Sequence, residues 1–470
     1  MNNKIIIIGA GPAGLAAGYE LVKNNKKILI LEKEQQVGGI AKTINHQGNL
    51  YDIGPHRFFT KNSEVLKLWQ SVLNENFKKR PRLTRIYYQK KYFYYPLKPL
   101  DAFVKIGFFE AIKIFFDYLY TRLKYYFYPK KKPVNYQDWM IQKFGKRLFD
   151  TFFKTYTEKV WGISTSQIGA EWAVQRIKSL SLFKAIINSI FPKNNKVTSL
   201  IDEFYYPNYG AGTMYEKIAE LIKQNKGEVV TNTEVKQIII NGNMVNKIIY
   251  RHNNSDKELT ADHYLSSMPL TELINKIIPI VPDSVYQANN KLKFRSLILV
   301  CLIIDKDFIF SDNWLYINNP EVKVARITNF KNWSEKMVKN DQLTTLASEY
   351  FCFENDEIWN LNNTELIDLA KAELIHLGLV KTGEVSGGFV VKQKDTYPVY
   401  QIGYRENLNQ VIEYIKTIKN LQIIGRGGTF RYNNMDHSIL MGLAAAKNIL
   451  GDKQDVLNIN TEEEYQEIKN

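Results

Sequence analysis

Ile5-Ile6-Ile7-Ile8-Gly9-Ala10-Gly11-Pro12-Ala13-Gly14 stands near the amino terminus, and Lys27-Ile28-Leu29-Ile30-Leu31 follows, ending on Glu32. An apolar strand runs into a glycine turn, a helical stretch reaches about Asn24, and a second apolar strand ends on an acid 23 residues after Gly9. A dinucleotide site needs these parts in this order. Gly9 permits a tight turn, Gly11 lets bare backbone approach a pyrophosphate, and Gly14 lets helix and strand pack closely. The helix start offers free N–H groups and the positive end of its dipole to phosphate. Pro12 suits that start because its missing N–H has no helical partner there anyway. Glu32 can accept a ribose hydroxyl, which serves NAD and FAD alike.

The chain has 470 residues, 45% apolar content and a formal net charge of +15, enough length for two or three interleaved domains. The isoleucine run lacks a cleavage site, and no uncharged apolar run reaches spanning length, so neither a signal peptide nor a transmembrane helix is expected. Cys301 and Cys352 lie far apart in apolar strand-like runs and read as buried thiols of a reducing cytoplasm. The histidines form no metal-spaced cluster. The positive charge admits anionic substrates or an anionic surface, but no nucleic-acid-binding module is visible.

Residues 50–60 read as a strand broken at Gly54-Pro55, and residues 84–95 as a hairpin around Gln89-Lys90-Lys91. From Leu100 to about Ile190 the pattern is helical. Residues 205–212 carry turn chemistry, and a helix is expected over Met214–Gln224. Strands are expected at 228–231 and 235–250, returning to the dinucleotide domain. Others are expected at 296–305, 314–318, 325–330, 344–353, 388–394 and 421–424, with a last helix from near Asp436. The division that follows is a discontinuous cofactor domain (1–85, 205–270 and 415–455), an aromatic-rich helical subdomain (86–204), a sheet-rich substrate domain (271–414) and a tail (456–470). Residues 101–128 hold eleven Phe and Tyr interleaved with Lys and Arg, and Lys130-Lys131-Lys132 follows. A membrane-surface helix would look like this. A packed subdomain is the preferred reading, because Asp101, Glu110 and Asp117 interrupt any lipid face.

Three polar segments stand against that framework. Gly54-Pro55-His56-Arg57 can bring a histidine to the cofactor. Arg326, on an apolar strand near Trp314 and Tyr316, needs a partner, either a substrate phosphate or a structural carboxylate. Gly425-Arg426 through Arg431-Tyr432-Asn433-Asn434-Met435-Asp436-His437-Ser438 joins a buried strand to a helix that Asp436 or Ser438 could cap. No Ser-His-Asp order, paired-carboxylate motif or CxxC appears, so the hard chemistry belongs to the cofactor.

Val37-Gly38-Gly39 brings a second glycine pair near Glu32, as in FAD proteins of the glutathione-reductase and amine-oxidase kind. Together with Tyr95-Pro96, Glu158-Lys159-Val160-Trp161-Gly162, Trp314-Leu315-Tyr316, Arg326, Tyr397-Pro398, Gly425-Arg426 and Arg431–Ser438, these segments resemble the flavin-dependent UDP-galactopyranose mutases. The likeness covers most of the chain in collinear order. It implies an α/β fold: a Rossmann-like FAD-binding domain of glutathione-reductase type, an interleaved helical subdomain and an antiparallel substrate sheet. It also implies a cytoplasmic isomerase acting on a nucleotide-diphosphate sugar and feeding surface polysaccharide synthesis. Its FAD would be active when reduced, by NAD(P)H or a reductase, and flavin N5 would form a covalent sugar adduct. The resemblance assigns His56, Arg326 and Arg426 to catalysis. It assigns Tyr95, Trp161, Tyr316, Arg326, Tyr397, Arg426, Tyr432 and Asn434 to the substrate. Gly9, Gly11, Ala13, Gly14, Glu32, Lys33, Gly38, Gly39, His56, Gly425, Arg426 and Met435 would hold FAD. Two departures stand out. Gly54-Pro55-His56 replaces a Gly-Gly-His or Gly-Ala-His, and Met435 replaces a glutamine where sugar recognition is expected. A less polar sugar, deoxy or N-acylated, fits that change better than galactose. The competing reading is an amine-oxidase-like or protoporphyrinogen-oxidase-like oxidoreductase at a membrane surface.

Overall fold

A computed structural model describes residues 4–128, 132–172 and 203–459. The helical pattern expected over 173–190, Lys130, Lys131 and the tail beyond 459 lie outside the described residues.

The isoleucine run forms the strand Lys4–Ile8, central in a five-stranded sheet. Its neighbours are Lys27–Leu31 and His263–Ser266, with Glu228–Val230 and Leu421–Ile423 at the edges, and every pairing is parallel. Both faces are covered, which is why the strand is apolar throughout rather than alternating. On one face the helix Pro12–Lys23 packs beside Gly212–Gln224 and Met435–Leu450. A methyl at Gly442 would lie 2.1 Å from the Ala13 carbonyl oxygen, so the small residues of the last helix are what bring its backbone onto the first.

The sheet-rich region builds a seven-stranded sheet. Its order is Val385–Pro398, Phe294–Ile304, Thr344–Cys352, Arg326–Asn329, Trp314–Ile317, Thr84–Tyr88 and Lys91–Tyr94. It is antiparallel except where Trp314–Ile317 runs parallel to Thr84–Tyr88. The hairpin expected at 84–95 is present, turning through Gln89 and Lys90 with positive φ. It belongs to this sheet, so the boundary expected at residue 85 falls inside one of its strands. Cys301 and Cys352 are buried free thiols on adjacent strands of the same sheet.

Two expectations need correction. Residues 203–207 are not a turn but a strand, Glu203–Pro207, paired antiparallel with Phe77–Pro81. Phe204 and Tyr206 alternate inward along it, and the turn begins only after Pro207. The expected strand over 235–250 is a hairpin, Thr233–Asn241 and Met244–His252, in a separate four-stranded sheet rather than in the cofactor sheet.

Candidate active site

One cavity of about 630 Å³ runs from the carboxyl ends of the parallel strands to one face of the seven-stranded sheet. Ile8, Leu31, Ser267 and Gly425 line it where their strands end, the usual ligand position in parallel α/β sheets.

At this end the glycine turn is sterically exact. Gly9 takes φ +96°, and a methyl on Gly14 would stand 2.0 Å from the Gly9 carbonyl oxygen. Gly11 faces open space, with only the Gly39 Cα, at 3.9 Å, near a would-be methyl. The Gly38 N–H donates to the Ala10 carbonyl at 2.8 Å, which ties the second glycine pair to the first turn. Glu32 is buried; its two carboxylate oxygens accept one N–H each, from Ala10 at 2.7 Å and Glu34 at 2.9 Å. Each oxygen keeps a lone pair for a further donor. Gly9, Gly11, Ala13, Glu32, Lys33, Gly39, Gly425 and Met435 line the cavity, whereas Gly14 and Gly38 shape its turns from behind. These residues fit a flavin dinucleotide: bare backbone and a helix N-terminus for the pyrophosphate, and an acid for the ribose. Gly14→Ala is expected to cost about 1–3 kcal/mol through overpacking and to yield protein with little bound flavin. The flavin absorbance of the purified variant checks this.

The far end is cationic and aromatic. Strand register sets Tyr316, Arg326 and Glu349 in one row across the sheet. The Arg326 guanidinium makes a two-point pair with the Glu349 carboxylate, Nε to Oε1 at 2.7 Å, and lies 3.5 Å from the Tyr397 hydroxyl. The open question about its partner is thereby answered by a structural carboxylate. Burial opposes the charge, but Glu349, Tyr397 and Tyr156 outweigh it and hold the guanidinium pKa well above its ordinary value. The Arg426 guanidinium packs against the adjoining rings of Tyr397 and Tyr432, at 4.3 and 4.2 Å from their centroids, which lie 5.4 Å apart. Its Nε donates to the Thr396 carbonyl at 2.8 Å and Nη1 to that of Asn433 at 3.3 Å. Its Nη2 is buried with no partner among the described residues. Such a group implies an acceptor at the site.

His56 stands on the cavity wall, its Nε2 2.8 Å from the Ile53 carbonyl. Burial, opposed by that carbonyl and reinforced by the charges of Arg426 and Arg326, pushes its pKa down to about 4. The imidazole is therefore neutral at physiological pH. An unfolded histidine takes its proton near pH 6.5, so the stability linked to neutral His56 is complete above that value. It is lost as pH falls through 6.5 towards 4. Melting curves of wild type and His56→Gln should diverge across that window, with the variant less acid-sensitive.

Trp161, Tyr95, Tyr316, Tyr397, Tyr432 and Asn434 also line the cavity. Trp161 packs against Trp172, Tyr400 and Tyr432, and Tyr95 meets Tyr316 edge-on. Asn434, not Asp436 or Ser438, caps the last helix in a reciprocal box with His437. It is the extended residue directly before Met435, whereas the other two already lie in the first turn. Sequence reasoning passed over Glu349 and Tyr156. Glu349 is the lone acid in the strand Thr344–Cys352, and a charge inside an apolar strand was its signal. Tyr156 meets Tyr316 at 5.1 Å but follows an irregular π-helical stretch, Asp150–Lys154, that no periodicity reveals.

The profile of the flavin-containing amine oxidoreductase family matches residues 12–365. A crystal structure of reduced UDP-galactopyranose mutase shares the fold, with a TM-score of 0.84, 19% identity and 98% of each chain covered. Curated relatives include a dTDP-fucopyranose mutase from Escherichia coli, 26% identical over 177 residues, which are 36% of this chain and 44% of the relative. An inactive all-trans-retinol 13,14-reductase from Danio rerio is 25% identical over 271 residues, 51% of this chain and 43% of the relative. The chain thus spans less than half the length of these curated relatives. The family match covers well over half of the chain, and with it the chain belongs to the flavin-containing amine oxidoreductases and is an FAD-dependent enzyme.

Proposed function

We propose that this enzyme is a nucleotide-sugar mutase that interconverts pyranose and furanose rings without net oxidation. The carrying observation is the orphaned Arg426 Nη2 beside Tyr397 and Tyr432, in the cavity that the Arg326 side chain also lines and that ends on the glycine turn. The cofactor's own pyrophosphate is provided for by the helix start at Pro12. A second anion-seeking group at the far end therefore calls for a second phosphate. A sugar-linked diphosphate supplies one, and the likeness to two mutases supports the choice.

Reduced flavin would supply a nucleophilic ring at the anomeric carbon. The protein's share is positioning and electrostatics. Arg426 would hold the diphosphate as it leaves and returns, and the adjoining rings of Tyr397 and Tyr432 would support that guanidinium. Tyr316 and Tyr95 would wall the nucleotide side, and neutral His56, its Nε2–H donated to the Ile53 carbonyl, would add no charge beside the flavin. Met435 at the wall favours a less polar sugar, and the relative named for a fucopyranose, a deoxy sugar, agrees with that choice.

Dithionite-reduced enzyme, incubated with UDP-galactose, dTDP-fucose and UDP-N-acetyl sugars, should convert at least one to a ring isomer seen by NMR. Release of peroxide with an amine or apolar substrate, and no isomer anywhere in the panel, would instead establish an oxidoreductase.

A further inference from the structure

The aromatic stretch that the cavity does not use forms the helix Phe108–Phe127, whose buried residues are Ala111 and Thr121. On its opposite side Phe108, Phe109, Phe116, Tyr120, Leu123 and Phe127 are exposed, Phe109 by 80% and Phe127 by 68%. At 3.6 residues per turn these six fall within an arc of roughly 120°. Lys113 and Lys124 border the arc on one side and Arg122 on the other. The preceding helix, Pro99–Ile106, adds Val104, exposed by 77%, and its Phe103 meets Phe108 at 6.1 Å. Monomeric soluble surfaces rarely leave an apolar face this continuous.

The acids that argued against a lipid face do not lie on it. Asp101 pairs with Lys105 and accepts the Tyr94 N–H at 3.3 Å. Glu110 accepts from Arg147 at 3.2 Å, and Asp117 accepts the Arg147 backbone N–H at 2.9 Å. Asp101 is thus held by its own helix and the hairpin, Glu110 by Arg147 and by Lys113 of its own helix at 3.5 Å, and Asp117 by the Arg147 backbone. The helix packs on its neighbours through one side only. Its outer face is apolar at the centre and cationic at both edges.

We infer that this helix docks the protein on an anionic bilayer, lying in the plane of the interface. Charge complementarity selects the occupant. Lys113, Arg122 and Lys124 flank the apolar arc as headgroup-binding cations flank an interfacial helix, and the chain as a whole carries +15. Among the described residues no helix is long and apolar enough to cross a membrane, which leaves docking in the plane as the way for this face to use lipid.

The inference is independent of the sugar assignment, and its test reads no turnover. The full-length flavoprotein is floated with phosphatidylcholine vesicles, with and without about one-third phosphatidylglycerol. Two variants are compared, Phe109→Ser/Phe116→Ser/Tyr120→Ser and Lys113→Glu/Lys124→Glu, with flavin absorbance reporting that each is folded. Wild type should float with the anionic vesicles and be released by salt, and both variants should bind about ten-fold less or weaker. No flotation of wild type, or flotation that neither variant reduces, overturns the inference. So does a concentration-dependent dimer that the triple variant dissolves without any lipid binding, since the face would then belong to a second copy.

Discussion

Arg426→Ala is expected to lower kcat/KM for ring interconversion by about 10²–10³, the range lost when one preorganised donor to a developing anion is removed. Two features make the effect large. The guanidinium packs against the adjoining rings of Tyr397 and Tyr432, at 4.3 and 4.2 Å, and its Nε is tied to the Thr396 carbonyl, so substrate binding has little left to order. Its Nη2 has no acceptor among the described residues, so it is available without breaking an existing bond. If the diphosphate is gripped mainly as it leaves, kcat falls more than KM rises. Arg426→Lys should recover only a small part, because an ammonium keeps the charge but cannot both reach the Thr396 carbonyl and present a second donor. Steady-state kinetics by NMR or chromatography, normalised to bound flavin, checks the order wild type, lysine, alanine. Equal kcat/KM in all three would remove Arg426 from the mechanism.

Arg326→Leu is expected to destabilise the fold by about 3–5 kcal/mol, the usual cost of leaving a buried charge without its partner. Glu349 is fully buried, and its carboxylate faces Arg326 across adjacent strands. Without the guanidinium its side-chain donor among the described residues is the Thr328 hydroxyl, at 3.3 Å. The double variant Arg326→Leu/Glu349→Leu removes both charges and should recover most of the loss in a denaturant titration, because a well-packed apolar pair often matches a buried ion pair in stability. Activity separates the roles. If Arg326 also faces the substrate, the stable double variant stays slow. If its role ends at Glu349, the double variant recovers both stability and turnover.

Much of the cofactor end was legible because its signals are local. A glycine turn, an apolar strand and an acid spaced from it are set by neighbouring residues, and backbone sterics alone demand glycine at 9 and 14. The hairpin at Gln89-Lys90 was legible for the same reason. The strand Glu203–Pro207 was not, because its inward-facing Phe204 and Tyr206 are set by pairing with Phe77–Pro81, far away in sequence. Asn434 lines the cavity and also caps the last helix, a role the sequence reading gave to Asp436 or Ser438 because a helix start could be placed only to within two residues.

By itself the sequence determined the dinucleotide fold and offered the set of arginines and tyrosines that chemistry could use. The tertiary structure decided which of those groups are occupied with one another. Register placed Glu349 opposite Arg326 and so converted one candidate clamp into an ion pair, while Arg426 kept a free donor. It also decided which way the aromatic helix faces, because Ala111 and Thr121 are buried against its neighbours and the apolar arc is left outside. The physical reason is common to both. Periodicity states which residues share a face, but only packing between distant segments states what that face meets.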